Sequence, residues 1–91
     1  MKKYVVNYDC MANSDLAIFT AKEIVKSLND GNYTVLDTAI EEAVDRTLTY
    51  YDDQWELMKI YQRPKEANYD EAEELFVQEL YSIIDEEELE E

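Results

Sequence analysis

VLDTAIEEAVDRTLTYYDDQWELMKIYQR, residues 35–63, is the stretch that decides the fold. Leu36, Ile40, Ala43, Val44, Thr47, Leu48, Tyr51, Trp55 and Met58 recur at i, i+4, i+7 and i+8, the spacing that holds side chains on one face of an α-helix. Asp53-x-x-Glu56 has the form of a capping box and would suit the start of a second helix. The apolar phase nevertheless runs straight across Asp52-Asp53, and neither Gly nor Pro interrupts 35–63. The reading is one long central helix, about 40 Å at ~1.5 Å per residue. Pro64 ends it, because the residue before a proline is pushed out of the helical region.

Upstream, Asn13-Ser14-Asp15 is a cluster of N-cap residue types, and Ala17, Ile18, Ala21, Ile24, Val25 and Leu28 follow at helical spacing. Asn29-Asp30-Gly31-Asn32 stops that helix, with Gly31 suited to a left-handed C′ position. Downstream, a third helix starts near Asn68 or Asp70 with Tyr69, Ala72, Leu75, Phe76, Leu80, Ile83 and Ile84 on its apolar face. The chain then turns wholly acidic. Carboxylates at a helix C-terminus oppose the macrodipole, so the helix is expected to fray into a flexible acidic tail over 85–91. Lys3-Tyr4-Val5-Val6-Asn7-Tyr8 is strand-like in composition, and no second run offers it an obvious partner. Packing as an extended arm, pairing with another molecule and a hairpin with the region around Tyr33 stay open. The expectation is an all-α fold: a three-helix bundle with a long central helix in one helical domain, 1–84, preceded by a short extended segment.

Composition narrows the function. The chain has 91 residues, with 23 Asp and Glu against 8 Lys and Arg for a net charge of −15, which disfavours direct contact with nucleic acid or an anionic membrane. A hydrophobic content of 46% disfavours a wholly disordered acidic chain. Without histidine the usual general base and the commonest transition-metal ligand are missing. A single glycine, Gly31, leaves no phosphate-cradling glycine motif. A single cysteine, Cys10, leaves no internal disulfide and no cysteine-rich zinc site. Asn7 and Asp9 break the N-terminal apolar run before it forms a signal-peptide core. A cytoplasmic, non-enzymatic protein without cofactor is expected. Acidic pairs such as Glu42-x-x-Asp45 and Glu71-x-x-Glu74 resemble those of all-α nucleotide pyrophosphatases. Acids are frequent enough here to make such pairs by chance, so no catalytic or metal residues are assigned.

The acids are unevenly placed. Residues 1–30 are neutral overall, whereas 66–91 hold twelve acids and no base. Glu66, Asp70, Glu71, Glu73, Glu74, Glu79, Asp85 and Glu86 surround the apolar stripe of the third helix. Like charges at i, i+3 and i+4 destabilise an isolated helix. That cost has a ready explanation if a basic partner neutralises them. On the long helix, Glu41, Asp45, Asp52 and Glu56 form a second row along one edge, spaced like a strand of phosphates. Lys/Arg channels that hold nucleic acid draw much of their affinity from phosphate neutralisation, so fixed carboxylates compete for the same channel. These twelve residues are the candidate partner-binding set.

Short length, strong negative charge, absence of histidine and acidic helical faces together resemble the small DNA-mimic inhibitors of phages and mobile elements, among them anti-CRISPR proteins, antirestriction proteins and the uracil-DNA glycosylase inhibitor. The resemblance lies in overall character, with no aligned motif. It implies a partner that is a basic nucleic-acid-binding protein, a bacterial defence or DNA-handling enzyme, blocked in its nucleic-acid groove. The alternative is a small accessory or adaptor protein that uses a Tyr-rich surface, with Tyr50, Tyr61 and Tyr81 partly exposed and the charge serving solubility. Exposed apolar patches on such a protein would leave room for a homodimer.

Overall fold

The computed structural model describes residues 2–7, 14–50, 53–64, 66 and 68–88. Among these, the chain runs β1 (Lys2–Val6), α1 (Asp15–Asn29), α2 (Leu36–Tyr50), α3 (Asp53–Ile60), α4 (Tyr69–Ile83) and β2 (Ile84–Glu88). The molecule is mostly helical but not purely so, because β1 and β2 pair as a two-stranded antiparallel sheet.

Local signals place α1 where the sequence puts it. Ser14 is its N-cap, the hydroxyl accepting from the Ala17 amide at 3.1 Å. Its C-terminus closes with Gly31 at φ 84°, the Asn32 amide donating to the Ser27 carbonyl and the Gly31 amide to Leu28. These are the paired bonds of a Schellman motif. The same motif closes α3 after Ile60: Gln62 takes φ 56°, Arg63 donates to the Met58 carbonyl and Gln62 to that of Lys59. Pro64 follows directly, as expected of a stop signal.

The core lies where α1, α2 and α4 meet, on Ala17, Ala21, Ile24 and Leu28, on Ala39, Ile40, Ala43 and Val44, and on Ala72, Phe76, Leu80 and Ile83. Alanines on all three helices let the backbones approach closely. The near-neutral α1 packs against α2, α4 and β1, which leaves the outer faces of α2 and α4 to carry charge.

The long central helix is not formed. α2 ends at Tyr50 and α3 begins at Asp53; Tyr51 and Asp52 lie outside the described residues. Length explains the break. α1 and α4 are each 15 residues, so a helix over 35–63 would overrun them by roughly 20 Å and leave its second half without apolar partners. With the break, α3 turns onto α4 and α2, burying Leu57 and Met58, while Trp55 is 48% exposed. The continuous phase that placed Trp55 on the core stripe was coincidental across the junction.

The C-terminus is the second departure. α4 stops at Ile83, as acids beyond it dictate, but Ile84–Glu88 forms β2 instead of fraying. Its partner is the N-terminal segment, in a register that sets Lys3 opposite Glu87. Opposite charges facing one another stabilise such a pair. Ile84 is buried and Val6 packs against the core, so the sheet is anchored at its inner end. The Asn7 amide extends the ladder to the Ile83 carbonyl at 2.7 Å, which leaves Tyr4 facing the outer edge. There Asn29 acts as a surrogate strand: its side-chain oxygen accepts from the Tyr4 amide at 2.9 Å and its amide donates to the Tyr4 carbonyl at 3.0 Å. The expected tail is thus structural over 85–88, and Leu89, Glu90 and Glu91 lie outside the described residues.

Candidate functional site

Two helices bring carboxylates together. On α2, Asp37, Glu41 and Asp45 stand at i, i+4 and i+8, a row about 12 Å long. On α4, Glu73, Val77 and Tyr81 have the same spacing. The two rows wall a groove of about 490 Å³ whose apolar part is Ile40, Val44, Leu48 and Val77. Ile40 and Val44 are buried, whereas Leu48 and Val77 are half-buried and packed on the core. Glu42 also lines the groove, and among the described residues no Lys or Arg does. Arg46, the basic residue of α2, instead borders a separate groove of about 570 Å³ between α1 and α2, beside Phe19 and Tyr50.

Tyr81 ties the acidic groove at one end. Its hydroxyl donates to Asp37 Oδ1 at 2.6 Å, joining the C-terminal turns of α4 to the first turn of α2. The Asp37 carboxylate that accepts this proton, with partial burial and the charges of Asp37 and Glu41, holds the phenol neutral and pushes its pKa up to about 12. The bond sets α2 and α4 antiparallel, which places Glu73 toward the Asp45 and Leu48 end of the groove.

The twelve expected partner-binding residues divide by what they touch. Glu41, Asp45 and Glu73 line the groove. Asp70 and Glu74 are exposed on α4, where Gln78 Nε2 reaches Glu74 at 3.5 Å. Glu66 is exposed in the connection before α4, and Glu56 on α3. Because α2 and α3 are separate, Glu56 does not extend the Glu41–Asp45 row, and Asp52 lies outside the described residues. Glu71 is paired with Arg63 at 2.7 Å, so a base from outside the acidic segment partly neutralises it. Asp85 and Glu86 belong to β2, and Asp85 accepts from Asn7 Nδ2 at 3.0 Å.

Glu79 is a different case. It is half-buried, accepting from the Ser14 amide at 2.7 Å through Oε1 and from the Tyr61 hydroxyl through Oε2. In a capping box the third helical residue would supply the carboxylate that bonds the N-cap amide. That position in α1 is Ala17, and Glu79 supplies the carboxylate from α4 instead. Its charge is thereby spent on holding α1, α3 and α4 together. Burial, then the bond and charge of Glu79, push the Tyr61 phenol well above its ordinary pKa against a smaller opposing effect from Ser14. Tyr61 is therefore half-buried and engaged, while Tyr50 is 82% and Tyr81 41% exposed. No local signal in the sequence points to Glu79: Ala17 leaves the Ser14 amide without a capping-box acid, but water or any other acceptor could have taken its place.

Among the described residues, no three acidic or cysteine side chains come close enough to share a metal ion. No described helix is long and apolar enough to cross a membrane. Comparison of the chain with protein-family models, curated proteins and solved structures finds no match.

Proposed function

We propose that this protein is an acidic nucleic-acid mimic that occupies the basic nucleic-acid-binding groove of a bacterial defence or DNA-handling enzyme and inhibits it stoichiometrically. The observation that carries the reading is the convergence of Asp37, Glu41, Glu42, Asp45 and Glu73 from two helices on one face that, among the described residues, is lined by no base. Asp70 and Glu74 continue the exposed acids along α4. Fixed carboxylates on short helices are preorganised, so little ordering cost falls on binding. The field of a −15 molecule speeds encounter with a cationic groove and makes association salt-sensitive.

The test is to immobilise the protein, pass a bacterial lysate over it, elute with a salt gradient and assay what elutes for nucleic-acid binding with and without free protein. A DNA- or RNA-handling enzyme released by salt and blocked by the free protein is expected. Reversing charge at Glu41, Asp45, Glu73 and Glu74 abolishes that block. Inhibition that survives both added salt and those reversals would overturn the reading.

A second reading is favoured by the groove between α1 and α2, beside which Phe19 and Tyr50 are 52% and 82% exposed. An accessory protein docking there would lose binding on substitution of Tyr50 and keep it on charge reversal in the acidic groove.

A further inference from the structure

We infer that the groove between α2 and α4 receives one amphipathic basic helix of the partner, apolar side chains against Leu48 and Val77 and Lys or Arg side chains against the flanking acids. The inference rests on the basic-partner reading above and narrows it from a charged surface to a helix-sized seat.

A phosphate-like array needs charge alone, yet this groove joins charge to an apolar floor. Leu48 and Val77 are half-buried, and the acids stand on both walls. The row from Asp37 to Asp45 spans about 12 Å, a little over two helical turns. An occupant helix would therefore present anchors at i, i+3 or i+4, and i+7, the pattern of helix-in-groove recognition. Lysine and arginine suit the flanks because their methylene stems lie along apolar surface while their heads reach the carboxylates.

The other occupants fit less well. A second copy of this chain would bring a molecule of −15 against a groove of the same sign. Nucleic acid meets the same repulsion. A bare cation lacks a cluster of three close acidic ligands among the described residues. Basic amphipathic helices are also the elements that many nucleic-acid-binding proteins place in a major groove, which links the seat to the proposed class of partner.

The test titrates the full-length, isotope-labelled protein with two synthetic peptides of identical Leu, Lys and Arg composition. One sets Leu at helical spacing, and the other is shuffled so that no face forms. The ordered peptide is expected to bind at least about tenfold more tightly, about 1.4 kcal/mol. Its amide shift changes should concentrate at Glu41, Asp45, Leu48, Glu73 and Val77. Val77→Lys and Glu41→Lys should each lower that affinity, the second at an exposed position outside the core. Equal, salt-sensitive binding of both peptides, with shifts spread over the acidic surface, overturns the helix seat and leaves the mimic reading standing. Binding of neither peptide also overturns the helix seat, while the mimic reading stands or falls on inhibition of the captured enzyme.

Discussion

Glu79 sits in the most acidic part of the chain and yet faces inward, so its loss should be felt by the fold before it is felt by any partner. Replacing it with Ala leaves the Ser14 amide and the Tyr61 hydroxyl, both part-buried, without their acceptor. A stranded polar group of that kind costs about 1–3 kcal/mol, which for a domain this small is a fall in melting temperature of roughly 4–8 °C per kcal/mol. Glu41→Ala, on an exposed position, should move the melting temperature little; thermal unfolding of the two variants followed by circular dichroism makes the comparison. The tyrosines set an alkaline limit. Below pH ~10 the Tyr81 phenol is neutral folded or unfolded, and its bond to Asp37 contributes fully. Above that the unfolded chain releases the proton while the folded chain, with its pKa pushed up to about 12, retains it, so stability falls between those two values. The Tyr61 phenol is raised as well and adds to the loss in the same direction. Denaturant unfolding at a series of alkaline pH values should show a shallower decline for Tyr81→Phe than for the natural chain.

At the scale of elements, the pairing of β1 with β2 depends on charge as much as on strand-forming residues. Lys3→Glu would set like charges opposite one another at Glu87, and a cross-strand pair is worth about 0.2–1 kcal/mol. Hydrogen exchange is the sensitive readout: the Val5 and Asn7 amides, which face β2 in the ladder, should lose protection while those of α1 keep theirs. This sheet also marks how far the sequence could be read. Helix α1 was legible because Ser14, the Ala17-to-Leu28 stripe and Gly31 are all local signals. The core face of α4 was legible for the same reason, as burial of Ala72, Phe76, Leu80 and Ile83 bears out. Nothing local in Ile84-Asp-Glu-Glu-Glu88 suggests a strand, since acids are poor strand formers. Its partner lies some eighty residues away, and only the complementary charge of Lys2 and Lys3 links the two. The division between α2 and α3 was hidden differently. The capping-box pattern at Asp53 was visible, but only the short length of the neighbouring helices decides between it and the continuous stripe. The candidate site follows the same rule: Glu41 and Asp45 share a helix edge and could be grouped from spacing, whereas Glu73 joins them only through the antiparallel packing of α4 on α2.

For the whole molecule, the question is what −15 costs a chain with principal extents of 51 × 26 × 16 Å. At about 0.01 M salt the Debye length is roughly 30 Å, longer than the two shorter axes, so carboxylates on opposite faces repel one another through the molecule. At about 1 M it shrinks to roughly 3 Å and that repulsion is screened. Salt also weakens favourable pairs such as Arg63–Glu71, but an exposed pair contributes only about 0–1 kcal/mol. With 23 acids against 8 bases the repulsive part is the larger, and the melting temperature should rise with added sodium chloride. Calorimetry across that salt range is the check, and a falling melting temperature would mean that pairs like Lys3–Glu87 outweigh the repulsion. Binding to a basic partner should move the other way, because the same screening removes the attraction between the acidic face and a cationic groove. Folding strengthened by salt and binding weakened by it separate the two roles of the carboxylates. Weaker association at high salt then cannot be ascribed to unfolding, since the protein is at its most stable where its affinity is lowest.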